Sequence, residues 1–200
     1  MKTSSLVLLL IGFALILAVF VFSKPAYPMT ESDAKKFFLE DLKEKYPDAD
    51  VREIIEILLL TSPDGTPYYQ LKARVTKGLY TPCPERLHVY YDYPPKNFIA
   101  QPPEYITKGC SICLNEPNCI IAFPEEAIIA SHKYPQAERV AEFVKKNTDA
   151  RPEEVISLQS YKDYSDVWLV KWVSASANKS LLAVVSKSQN KVFEVASYGS

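Results

Sequence analysis

Apolar positions recur along this chain at two spacings, and the switch between them maps the predicted elements. Residues 6–22 are first, an unbroken run of apolar residues and one glycine with no charge. Beyond residue 30, Ala34, Phe37, Phe38 and Leu42 recur at helical spacing, with Tyr46 four further on. Lys35, Lys36, Lys43 and Glu44 fall on other faces. Thr30-Glu31-Ser32-Asp33 is close to a capping box, and Pro47 ends the helix. The period then drops to two. Strands are predicted over 52–61, 68–76 and 86–93, with a turn at 62–67 and a loop through Cys83. In the third strand Leu87, Val89, Tyr91 and Tyr93 alternate with Arg86, His88, Tyr90 and Asp92. Residues 98–100 offer a short fourth strand.

The same order returns in the second half. A helix is predicted over 136–147, with Ala137, Val140, Ala141 and Val144 on one face. Strands follow at 153–161, 167–174, 181–186 and 191–196. The run 181–185 is apolar on both faces, which predicts a sheet covered on both sides. Between the halves, 101–123 lacks a clear period, and 124–133 reads as a short helix with proline at its first position. The predicted organisation is therefore a signal anchor or transmembrane helix (1–23), a stalk (24–29), a first α+β repeat (30–100), a Cys/Pro-rich connector (101–135) and a second α+β repeat (136–200). The fold class expected is α+β: an N-terminal transmembrane helix, then two helix-on-antiparallel-sheet units.

Residues 6–22 span about 25 Å as a helix at 1.5 Å per residue, and Ser4, Ser5 and Ser23 can extend them at the interfaces. Lys2 precedes the run, so the positive-inside rule places Met1 in the cytoplasm and everything after Lys24 outside. The run is longer than a typical leader, which favours an uncleaved single-pass anchor over a cleaved signal; cleavage after Ser23 would instead give a secreted protein. The lipid bilayer is thus one expected partner, through residues 6–22.

The pattern of elements resembles the PepSY domain and the wider cystatin-like shape. In the second half the resemblance rests on 166–172 (DVWLVKW) and 184–195 (VVSKSQNKVFEV), similar to the PepSY elements "aromatic-x-Val" and "Val-Asp-x-x-Thr-Gly-x-Val". In the first half it rests on 68–71 (YYQL) and 89–99 (VYYDYPPKNFI). Ser186 stands where the family favours Asp, and Asn190 and Asn97 where it favours Gly. The resemblance implies an extracytoplasmic, non-catalytic module, in some members peptidase-inhibiting or regulatory. The cystatin Gln-x-Val-x-Gly hairpin motif is absent, so thiol-protease inhibition does not carry over.

Composition narrows the chemistry. Lys+Arg number 23 against 24 Asp+Glu, so no global field draws nucleic acid, and no nucleic-acid partner is expected. Five glycines, with neither GxGxxG nor GxxxxGK[ST], argue against a phosphate loop. No GxSxG or SxxK anchors a serine hydrolase. No cofactor and no metal are expected.

Cys83, Cys110, Cys113 and Cys119 all follow the apolar run, and an even count outside a membrane reads as two disulfides. All three pairings are open; Cys83–Cys110 with Cys113–Cys119 is preferred, because a Cys110–Cys113 bridge closes a very tight loop. The rivals are a four-thiolate zinc site, for which Cys83 lacks a near neighbour, and a redox pair at Cys110 and Cys113, which lacks the βαβ setting of a thioredoxin.

His88 reads as a solvent-facing strand residue beside Tyr90 and Asp92, and His132 as a cation at a helix end. Glu125-Glu126 suits a first helical turn; neither it nor Glu153-Glu154 carries a reading as a catalytic pair. Trp168 and Trp172 read as core. Tyr80, Tyr90, Tyr91, Tyr93 and Tyr105 cluster with prolines around the cysteines, and such Tyr-rich segments favour protein binding. Asn178-Lys179-Ser180 fits the glycosylation sequon. The function expected is a membrane-anchored extracytoplasmic protein- or peptide-binding module, with no catalytic site evident. The alternatives are thiol–disulfide exchange through Cys110/Cys113 and a structural component of an envelope complex.

Overall fold

The computed structural model describes residues 30–94, 101–112 and 119–198. Helix α1 spans Glu31–Lys45. Thr30 opens it, its hydroxyl oxygen accepting the Asp33 N–H at 3.1 Å, and Glu31 and Asp33 sit where the helix dipole favours negative charge. Ala34, Phe38 and Leu42, four apart, form its buried stripe. They pack on Leu71, Ala73 and Val75 of β2 (Pro67–Lys77) and on Leu87 and Val89 of β3 (Glu85–Tyr93). With β1 (Val51–Thr61) and β4 (Glu104–Thr107) these strands form an antiparallel sheet in the order β1-β2-β3-β4. A bulge at Ile54/Glu56 interrupts the β1–β2 register.

Helix α2 (Pro124–Lys133) and helix α3 (Glu138–Lys146) precede the second sheet, ordered β5-β6-β7-β8. Its strands are β5 (Arg151–Tyr161), β6 (Tyr164–Ser174), β7 (Lys179–Ser186) and β8 (Val192–Ser197). Trp168, Val170 and Trp172 of β6 and Leu181, Ala183 and Val185 of β7 form a core with Ala127, Ile128 and Ala130 of α2 and Val140 and Phe143 of α3. The valine, leucine, isoleucine and phenylalanine side chains among them each contribute roughly 1.5–3 kcal/mol when fully removed from water. Leu182 and Val184, on the opposite face of β7, are buried as well.

Helix α2 is buried all round, from Glu125 to His132. Buried donors and acceptors require partners, and those of α2 lie on both sides of it. Toward the second sheet, Trp172 Nε1 donates to Ser131 Oγ at 2.9 Å, and Trp168 Nε1 donates to the Ile121 carbonyl at 2.8 Å. Toward the first sheet, Arg74 and Arg86 pair with Glu125 and Glu126.

The expected fold class is overturned. In place of an α+β chain with a transmembrane helix ahead of two PepSY/cystatin-like helix-on-sheet units, strand outweighs helix about two to one among the described residues. Two antiparallel four-stranded sheets carry three short helices. Ladder pairing extends β1, β2, β5 and β6 to eleven residues each, beyond their apolar centres, and the second sheet takes two helices where one was expected. No helix among the described residues is long and apolar enough to cross a membrane, and residues 6–22 lie outside the described residues. The fourth strand expected at 98–100 also lies outside them; β4 pairs with β3 at Arg86, Leu87 and His88.

Candidate functional site

Strand β1 ends its sheet, and among the described residues no strand pairs along its outer side. It carries Ile54, Ile55, Ile57, Leu58, Leu59 and Leu60, with neither lysine nor proline. Edge strands are normally blunted by charges, prolines or bulges; β1 has Arg52, Glu53, Glu56 and its bulge toward the start, and 57–60 beyond them is wholly aliphatic. Leu59 is 62% exposed and Leu58 42%. Beyond the bulge, Ile57 stands across from Leu71 and Leu59 across from Tyr69, so both lie on the α1 side of the sheet. Arg52 ties the start of the strand to the end of α1. Its Nε donates to the Tyr46 carbonyl at 2.8 Å and its Nη2 to the Pro47 carbonyl at 2.7 Å, satisfying acceptors that a helix end leaves open. Between α1 and β1 lies an open groove of about 510 Å³, lined by Glu31, Lys35, Leu39, Arg52, Ile54 and Ile57 among others.

The far face of the same sheet is polar and partly sealed. Arg74 Nη2 lies 2.7 Å and Nε 3.0 Å from Glu125 Oε1, which also accepts the Thr76 hydroxyl. Arg74 Nη1 reaches Glu53 Oε2 at 3.1 Å. Arg86 Nη2 pairs with Glu126 Oε1 at 3.2 Å, while Glu126 Oε2 accepts the Ala122 and Phe123 N–H groups at 2.9 and 3.1 Å. The Phe123 ring lies 5.0 Å from the Arg74 guanidinium and 4.1 Å from that of Arg86. Burial pushes the Glu126 carboxyl up from its ordinary range, against the pull of Arg86 and the two N–H groups. His88 is held down to about 4, by burial first and then by Lys72 and Arg86, and so is neutral. Glu125 has no exposed surface. The two carboxylates are turned away from solvent, and the cluster joins α2 to the first sheet.

The cysteines form a third locus. Cys83 and Cys110 are bonded to each other, S–S 2.03 Å. Cys119 is disulfide-bonded as well, and Cys113 lies outside the described residues. Gly78, at φ +66°, turns the chain after β2; a Cβ there would sit 2.9 Å from Thr81 Oγ1, so the loop leading to Cys83 requires glycine. Gly109 and Cys110 both have positive φ, 58° and 62°, between Lys108 and Ser111, whose backbones bond reciprocally at 3.2 and 3.1 Å. That is the backbone of a primed hairpin turn, which a cysteine seldom adopts. His132 Nε2 lies 3.4 Å from Cys110 Sγ. Its Nδ1 lies 3.0 Å from the Ile128 carbonyl, which can only accept, so Nδ1 carries the proton and Nε2 a lone pair. The ring meets Trp172 edge-on at 5.5 Å. Cys83, Cys110 and His132 bring one potential ligand atom each to within 4.8 Å of one another, but the disulfide leaves no thiolate to bind a metal.

The five tyrosines singled out in the sequence do not form one surface. Tyr91 and Tyr93 pack under α1 against Phe37, at 5.8 and 5.5 Å between ring centres. Tyr90, on the opposite face, donates to Glu104 Oε2 at 2.7 Å. Tyr80 is exposed in the loop after β2, and Tyr105 on β4 lies under the Lys108 ammonium. Asn178 is exposed in the turn between β6 and β7, and Glu153 forms an ion pair with Lys171. Trp168 and Trp172 are core. Sequence reasoning missed the burial of His88, Glu125, Glu126 and His132. The available signal was the polar face of β2 and β3, where Arg74, Thr76, Arg86 and His88 lie among apolar neighbours. Comparison with known proteins finds no matching family model, no matching curated protein and no matching solved structure, so the PepSY and cystatin resemblance gains no support there.

Proposed function

We propose that the protein binds an extended segment of a partner protein by strand addition along β1, and that residues 6–22 anchor it in a membrane with the sheets outside. The observation that carries the binding reading is the long, aliphatic, unpaired edge of β1 beside the groove under α1. An added strand takes its affinity from main-chain hydrogen bonds and its specificity from alternate side chains. The regular stretch beyond the bulge, 56–61, is about 20 Å long and suits a segment of about six residues. Alternate side chains of that segment enter the groove, where Leu39, Ile54 and Ile57 favour apolar ones and Glu56 at the rim favours a lysine or arginine.

The test screens full-length protein against a displayed library of random octapeptides and maps binding by amide hydrogen exchange. Peptides with alternating apolar residues are expected to bind and to protect the amides of β1. N-methylation of alternate peptide amides, or Leu59→Lys, abolishes binding. No enrichment, protection elsewhere, or a concentration-dependent dimer formed through β1 overturns the reading. Labelling of intact cells with an impermeant amine reagent tests the topology: the lysines after residue 24 are expected to react, and their protection overturns that part.

A further inference from the structure

The geometry around Cys110 points to a chemistry separate from the β1 edge. We propose that Cys83–Cys110 is an exchange-competent disulfide, attacked at Cys83 by an external dithiol, with His132 holding the proton on the departing Cys110 sulfur. Three observations carry it. Cys83 is exposed while Cys110 is half-buried, so an incoming thiolate reaches the Cys83 sulfur and Cys110 is the leaving group. His132 Nε2 stands 3.4 Å from the leaving sulfur, with its lone pair free because Nδ1–H is committed to the Ile128 carbonyl. Cys110 is also held in the left-handed region of backbone space, a kind of strain that clusters at functional sites.

The step balances as follows. A substrate thiolate, its proton already lost to solvent, forms a bond to Cys83 Sγ. The Cys83–Cys110 bond breaks, and its electron pair stays on Cys110 Sγ. His132 Nε2, having taken a proton from solvent, gives it to that sulfur as the bond breaks, and the resulting S–H donates to the neutral Nε2. The second thiolate of the substrate then attacks its own sulfur in the mixed disulfide and releases Cys83 as a thiolate. The dithiol is oxidised to a disulfide by two electrons, and Cys83 and Cys110 are reduced. A disulfide substrate running the sequence backwards restores the starting state. Burial holds the imidazole below its ordinary value, Lys133 acts in the same direction, and the Ile128 carbonyl opposes them, which keeps Nε2 an acceptor near neutral pH.

The test treats full-length folded protein with graded dithiothreitol or with reduced glutathione, traps free thiols with N-ethylmaleimide and maps them by peptide mass spectrometry. Cys83 and Cys110 are expected to become labelled at reductant levels that leave Cys119 protected. Glutathione is expected on Cys83 and not on Cys110, a readout that needs no variant. His132→Gln, if folded by circular dichroism, is expected to slow reduction about a hundredfold at neutral pH, the lower end of acid–base effects. It also shifts the pH profile of Cys110 alkylation in the reduced protein. Release of Cys83 and Cys110 only on global unfolding together with Cys119, glutathione on Cys110, or identical rates and pH profiles for the folded variant and the parent overturns the proposal.

Discussion

Arg74 of β2 and Glu125 of α2, 51 positions apart, are held together by two N–H···O bonds to a single carboxylate oxygen, both side chains being buried. The pair fastens the first sheet to a helix whose other side belongs to the core of the second. Removing Glu125 leaves the buried Arg74 with only the exposed Glu53 as a charge partner, so Glu125→Ala is expected to cost about 3 kcal/mol, the lower end for breaking a buried pair. Arg74→Met with Glu125→Leu removes both charges and is expected to cost much less. Urea unfolding of the three variants checks this; equal losses for the single and double variants contradict it.

His88 sets a pH dependence. Its folded value of about 4 lies below the ordinary 6.5. Between those values the unfolded chain binds the proton and the folded chain does not. The contribution of His88 to stability is therefore complete above about pH 6.5 and is lost as the pH falls toward 4. His132, also held down by burial, acts in the same sense. Thermal midpoints of His88→Gln are expected to fall less steeply than those of the parent between about pH 7 and about pH 4.5. Parallel curves would contradict the assignment.

Trp172 is fully buried and donates to Ser131, so its size and its N–H both matter. Trp172→Ala is expected to cost about 3–5 kcal/mol through the cavity it leaves. Trp172→Phe keeps much of the ring, and Ser131 keeps its bond to the Ile128 carbonyl but loses the indole donor, so a smaller loss is expected by thermal denaturation; a loss equal to that of Trp172→Ala contradicts this.

Asp149 accepts hydrogen bonds from Ser174 Oγ at 2.8 Å, Ser176 Oγ at 2.6 Å and Ser176 N at 2.8 Å. These donors hold its carboxyl well below the ordinary range. The support it gives is present above the unfolded value of 3.8 and is lost as the pH falls through the folded one. Asp149→Ala is expected to speed hydrogen exchange at the Ser176 amide while leaving β7 amides unchanged; an unaltered Ser176 rate would show that the turn stands without it.

Leu59 is exposed on an unpaired edge, so Leu59→Lys is expected to change unfolding free energy by no more than about 0.5 kcal/mol. It is also expected to abolish peptide binding at β1, because a charged edge resists strand-to-strand pairing. A large destabilisation would place Leu59 in the fold rather than at a docking edge.

Much of the local architecture was legible in the residues. The residues alone give the helix at 124–133 the bounds it has, and the centres expected for β1 to β3 and β5 to β8 fall within those strands, whereas β4 (Glu104–Thr107) lies in the stretch expected to be a connector. The preferred Cys83–Cys110 bridge forms. These features depend on neighbours in sequence: a cap at Thr30, alternation from Leu87 to Tyr93, proline at the start of α2. The overall class was misread because alternation marks the apolar centre of a strand and not how far ladder bonding extends it. Nor does the pattern tell how many helices one sheet recruits.

The residues by themselves determined where the helices and the centres of seven of the eight observed strands lie, because caps, turns and side-chain period act over a few residues. Tertiary structure alone decided that the polar face of β2 and β3 would be closed by α2. Only there do Arg74 and Arg86 find Glu125 and Glu126, and only there does His132 come to face Cys110. Polar side chains spaced for a solvated strand look the same in sequence whether water or another element satisfies them. The partner is supplied by distant chain, and its effect on charge and burial exists only once both are packed.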